Sequence, residues 1–226
     1  MNIRINNTIL KICSVLAANN EMAQYDIPLK IGKHQTTVMR QLVKLEEQGI
    51  VEFLRTERSA KKGKDKKIFA LTFKGILLYL TQSNKTDSIE VIKILESNGK
   101  RLNYPLFENA KTLADTWGWM DIPSFFVICA KNLIGNPTFT KLEHFTQIMS
   151  KSKLQSKHSN MEKIFQIEDQ FLKDNFFLEV LDWFSRYNKV PNQELKSFTE
   201  QLFQRKKGEF SKVKKILDTG LVLFNT

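Results

Sequence analysis

The chain has little that reads as catalytic chemistry. Its two cysteines, Cys13 and Cys129, lie far apart in apolar surroundings. That suits reduced thiols in a core better than a disulfide framework. The three histidines, His34, His144 and His158, have no metal-ligand spacing with one another or with the cysteines. The glycines form no phosphate-binding loop, and neither a G-x-S-x-G nor an H-E-x-x-H pattern occurs. The expectation is a non-enzyme without metal or cofactor. No apolar run approaches the ~20 residues that span a bilayer. The opening MNIRINNTILKICSVLAANN resembles a signal peptide only briefly, because Lys11 interrupts its apolar run and polar residues recur at helical spacing. A cytoplasmic protein without a membrane partner is expected. There is also no repeat of ~20 to 50 residues and no long low-complexity tract.

Positive charge is what the chain has in excess. Among 226 residues, 35 Lys+Arg stand against 24 Asp+Glu, a net +11, on a globular background of 42% hydrophobic residues. Such an excess points to a polyanion, either nucleic acid or an anionic surface. Its distribution is uneven. The polar stretch TQSNKTDS, residues 81–88, separates two apolar helical runs and divides the chain into candidate domains 1–84 and 85–226. The first holds 14 basic and 7 acidic residues, the second 21 and 17, so the shorter segment carries most of the excess.

In that segment Ile5, Ile9, Ile12 and Leu16 follow helical spacing, predicting a helix over about 5–19 that stops at Asn19-Asn20. A short second helix is expected within Gln24–Ile31, with Tyr25, Leu29 and Ile31 apolar. Pro28 is tolerated only in a first turn, which makes Asp26 the expected N-cap and Gly32 the stop. The next run, HQTTVMRQLVKLEEQGIV, residues 34–51, places Val38, Leu42 and Leu45 on one stripe. At about 100° per residue, Arg40 points nearly opposite that stripe, with Thr36 and Lys44 to either side, Thr37 further round and Gln41 near the buried flank. Gly49 is placed as a C′ residue.

After Gly49 the period changes to two. IVEFLRTE and KIFALT favour strands, and RSAKKGKDK lies between them as a loop. From Arg58 to Lys67, six residues are basic (Arg58, Lys61, Lys62, Lys64, Lys66, Lys67) and only Asp65 is acidic. LTFKGILLYL follows as a helix for which Thr72 is the expected cap.

Helix, short helix, helix, strand, basic loop, strand, helix is an order that resembles the winged helix-turn-helix domains of bacterial and archaeal transcriptional regulators. The resemblance rests on TTVMRQLVKLEEQGIVE, on the hairpin pattern and on LTFKG, and covers roughly residues 5–80. It implies that the helix of residues 34–48 enters the major groove of double-stranded DNA and that the wing touches the backbone or minor groove. The chemistry is compatible. Arg40 can grip guanine O6 and N7, Gln35, Thr36, Thr37, Gln41 and Lys44 can contact bases or phosphates, and basic wing residues release counterions without reading sequence. Three plainer readings stay open: a solvated helix face, a solubilising lysine turn, or a winged-helix interaction module of a transcription or replication assembly.

Beyond residue 85 the pattern is helical, and 14 of the 17 phenylalanines fall there. Ile89, Ile92 and Leu95 mark one helix, Leu106, Ala110 and Leu113 another, and IPSFFVICAKNLIG a buried third. TFTKLEHFTQIM, a long run from about 160 to 187, and PNQELKSFTEQLFQRK add more. Dimerisation and the sensing of a small-molecule or protein effector are the two roles that suit such a module. The stripe Phe171, Phe176, Phe177, Trp183 and Phe184 is read as core or as the lining of a ligand cavity. Trp117 and Trp119 are candidates for an exposed contact, and RKKGEFSKVKK either for a phosphate contact or for a solvated helix end. The expected architecture is mainly α: an N-terminal winged helix-turn-helix and an all-α C-terminal domain, as a homodimer.

Overall fold

The computed structural model describes residues 6–58, 65–82, 87–118, 121–135 and 159–187. They are mainly helical, with one small antiparallel sheet. Two compact units are present, residues 2–127 and the body of 128–226.

Helix α1, Asn7–Asn19, starts where the Asn6 side chain accepts the Ile9 N–H at 3.0 Å and ends at Asn20, whose φ is +66°. Ile9, Ile12, Cys13 and Leu16 are buried along it, as the spacing predicts. Strand β1, Glu21–Ala23, was not anticipated, because three residues carry no readable period. Its existence depends on pairing with a strand 45 residues and more away in the chain.

Helix α2, Asp26–Ile31, corrects one expectation. Asp26 is its first helical residue, and the cap position is Tyr25, with no side-chain capping bond. Leu29 is 80% exposed, because in so short a helix Ile27, Pro28 and Ile31 take the inward face. Gly32 closes it in the left-handed conformation at φ +63°.

Helix α3, Gln35–Glu47, buries Val38, Leu42 and Leu45. Its end is a Schellman motif: the Ile50 N–H reaches the Leu45 carbonyl and the Gly49 N–H the Glu46 carbonyl, both at 2.9 Å, with Gly49 at φ +64°.

Strands β2, Val51–Glu57, and β3, Lys66–Leu71, form a hairpin, and β3 is the centre of the sheet order β1-β3-β2. The register runs Val51↔Leu71, Glu52↔Ala70 and Phe53↔Phe69, then resumes at Arg55↔Ile68. Leu54 is therefore an extra residue in β2, a bulge that returns Arg55 to the sheet face of Glu52.

Helix α4, Phe73–Gln82, is buried at every residue from Phe73 to Leu80. Thr72 caps it as expected, accepting the Gly75 N–H at 3.1 Å. A side-chain carbon at Gly75 would collide with the Ile50 carbonyl oxygen, so a glycine lets α4 lie directly on the turn after α3.

Beyond the polar stretch, α5 (Ser88–Leu102), α6 (Pro105–Glu108) and α7 (Ala110–Trp117) continue the same compact unit, whose edge at 127/128 does not coincide with 84/85. Asp87 caps α5 by accepting the Ile89 N–H at 3.1 Å. Ile89 itself is exposed, unlike Ile92 and Leu95, because the inward face is set by Val91, Ile92, Ile94 and Leu95. The single helix expected through Leu106, Ala110 and Leu113 is two, broken at Asn109, although all three side chains are buried.

Phe73, Tyr104, Phe107 and Phe126 join α4, α6 and α8 (Asp121–Gly135) in one aromatic cluster with ring centroids 4.8–5.8 Å apart. Such offset and edge contacts are favourable beyond simple burial.

In the second unit, Ser159–Tyr187 is one helix, α9, on which Phe171, Phe176 and Phe177 are buried. Cys129 is buried as well. The side chains of Trp117, Trp183 and Phe184, together with Trp119, His144, His158, residues 138–149 and residues 191–215, lie outside the described residues. Among the described residues no helix is long and apolar enough to cross a membrane, and no cluster of metal-ligating side chains occurs.

Candidate nucleic-acid interface

The polar face of α3 stands where helical geometry predicts. Gln35, Thr36, Thr37, Arg40 and Lys44 are exposed, while Gln41 is half-buried on the flank of the apolar stripe. At the N-terminus of the helix, His34 Nδ1 and Thr36 Oγ1 share a hydrogen bond of 2.6 Å. The Thr37 and Val38 N–H groups are already bonded to the His34 carbonyl, at 3.1 and 3.2 Å. The face therefore offers one guanidinium, one ammonium, a glutamine and two threonine hydroxyls over roughly three turns. Lys30 and Lys33, just before α3, are exposed too. They were missed because α2, which carries Lys30, is too short to define a face, and the turn that carries Lys33 has no period to assign its outward side.

The other half of the candidate interface is the hairpin. Arg58 follows β2 and Lys66 opens β3, both exposed. Lys61, Lys62 and Lys64 lie outside the described residues. Lys67 is exposed, and its Nζ stands 5.8 Å from the Phe53 ring centroid, within cation–π range. Phe53 in turn meets Phe69 edge-on at 6.0 Å.

Two sets of contacts fix these parts. The first is at the end of α3. Thr72 Oγ1 donates to the Gly49 carbonyl at 2.6 Å, and the Thr72 N–H donates to the Ile50 carbonyl at 3.0 Å. Lys74, almost fully buried, places its ammonium 3.1 Å from the Gln48 carbonyl, at the negative end of the helix dipole. The turn after α3 is thus bonded to the junction of β3 and α4.

The second set lies on one face of the sheet. Arg55 donates to both carboxylate oxygens of Glu21, at 2.8 and 2.5 Å, and to Glu57 Oε1 at 2.8 Å. It thereby spans β3 and ties both edge strands together. Those hydrogen bonds, more than its charge, hold the Glu21 carboxyl below the usual range and push the Arg55 guanidinium up. Sequence reasoning missed Arg55, since its partner Glu21 is 34 residues away and on an unanticipated strand.

No protein-family model, curated protein or solved structure matches the chain.

Proposed function

We propose that the protein is a sequence-specific DNA-binding transcriptional regulator whose N-terminal part is a winged helix-turn-helix. In this reading α3 lies in the major groove, where Arg40 reads a guanine and Gln35, Thr36, Thr37, Gln41 and Lys44 contact bases or phosphates. The hairpin is the wing, and Arg58, Lys61, Lys62, Lys64 and Lys66 meet the backbone or minor groove. The observation that carries the reading is α3 itself. Its inner stripe is fully buried while its outer face keeps a basic and polar set exposed. The remainder of the chain would dimerise or sense a small-molecule or protein effector, and a homodimer would set two copies of α3 about one DNA turn apart. The proposed setting is the cytoplasm.

The test is a binding titration against fragments of the encoding genome over a range of salt. A regulator prefers a particular fragment, and Arg40→Ala weakens or relaxes that preference by about 1–3 kcal/mol. Neutralising Lys61, Lys62 and Lys64 lowers affinity for all fragments and flattens the salt slope. If no fragment is preferred and Arg40→Ala changes nothing, the reading fails. A winged-helix interaction module is the second reading. It is favoured by Leu29 and Val43, apolar side chains 80% and 54% exposed on α2 and α3.

A further inference from the structure

A densely bonded polar group in the described part of the first unit lies outside both α3 and the hairpin. Arg101, in the last turn of α5, has a side chain only 13% exposed. Its guanidinium donates to Glu52 of β2 and to the Leu71 carbonyl of β3. Longer bonds of 3.4 Å reach Asn20, between α1 and β1, and Asn98 on its own helix. Asn98 is completely buried and donates to the Ala17 carbonyl of α1 at 3.0 Å and to the Ile94 carbonyl at 2.9 Å. A planar fork of five donors can serve so many acceptors, and a lysine cannot.

The acceptors sit at one place in the hairpin. Glu52 pairs with Ala70 and Leu71 with Val51, so Arg101 grips both strands at the base, before the Leu54 bulge. A bulge permits the outer half of a hairpin to bend. The direction of that half then depends on how firmly the base is held. The apolar packing of α5 is supplied by Val91, Ile92, Ile94 and Leu95, which leaves Arg101 a different task. Glu52 also carries a negative charge beside strands whose outer ends are basic, and Arg101 offsets it.

We infer that Arg101 is a positioning residue for the basic hairpin: from α5 it fixes the base of β2 and β3, so that Arg58 and Lys66 meet a nucleic-acid backbone in one orientation. This rests on the DNA-binding reading above, but the holding of the hairpin is measurable without DNA.

The experiment uses the full chain and the variants Arg101→Gln, Arg101→Lys and Glu52→Gln. Without DNA, Arg101→Gln raises amide exchange in residues 51–57 and 66–71 about tenfold while the amides of α3 and α4 keep their rates. On a duplex fragment it lowers affinity about three- to tenfold. That loss is not additive with Arg58→Gln/Lys66→Gln and is additive with Arg40→Ala, since only the former pair acts through the hairpin. Glu52→Gln gives a smaller change of the same kind, and Arg101→Lys recovers part of it. Unchanged hairpin exchange, or an equal rise in α1, α3 and α4, overturns the assignment, because Arg101 would then be idle or merely stabilising. Full additivity with the hairpin variant overturns it as well. If the wild-type chain binds no duplex, the DNA-binding reading fails, and the exchange measurement still decides what Arg101 does to the hairpin.

Discussion

Helices α3 and α4 are joined through a single hairpin, yet they meet the rest of the molecule in opposite ways. Helix α3 buries Val38, Leu42 and Leu45 and leaves Thr36, Arg40 and Lys44 outside. Helix α4 is buried at eight consecutive residues, including Lys74, whose ammonium is bonded to the end of α3. A helix covered on all sides can only be scaffold, whereas one with a stripe has a face to present. The comparison also shows how the face is held still: α4, through Thr72, Lys74 and the close approach at Gly75, grips the turn where α3 stops.

The largest expected effect lies on α4. Phe73 is fully buried, stacked on Phe107 at 5.3 Å and edge-on to Tyr104 at 4.8 Å. Phe73→Ala costs roughly 3–5 kcal/mol, read as a fall in the urea midpoint. A loss within about 0.5 kcal/mol would mean that α4 is not the scaffold described.

Helix α3 allows the comparison within one element. Leu42→Ala costs roughly 2–5 kcal/mol of stability, although the cavity is smaller than that left by Phe73. Arg40→Ala, two positions earlier and on the opposite side, changes stability by less than about 0.5 kcal/mol. Equal losses at the two positions would erase the division between an inner and an outer face.

That division was legible in the sequence because it is local. The 100° geometry that separates Leu42 from Arg40, the glycine stop at Gly49 and the Thr72 cap each involve residues within a few positions of one another. What escaped is what the chain brings together from afar. Strand β1 exists through its pairing with β3, and Arg55 becomes a clasp because that pairing sets Glu21 opposite. Asn98 reaches a carbonyl 81 residues away, and Arg101 reaches Glu52 across 49. The exposure of Leu29 was not legible for a different reason, since so short a helix gives too few apolar positions to define an inward face. For the site, the polar face of α3 could be read from one segment alone, whereas the contacts that fix the hairpin beside it could not.

The last effect concerns the surface that the two helices share. Helix α1 packs against both α3 and α4, and Cys13 is buried on it. Burial disfavours the thiolate and pushes the thiol up to about 12 from its ordinary 9.0. Because the folded value exceeds the unfolded one, the associated stability is whole below about pH 9 and is lost as the pH rises toward about 12. Urea midpoints measured at intervals over that window should therefore fall gradually in the wild type and less in Cys13→Ala. At pH 8 the thiol of the folded chain should resist an alkylating reagent that modifies it fully in urea. Rapid modification without denaturant would place Cys13 in contact with solvent, and α1 would then not close the surface common to α3 and α4.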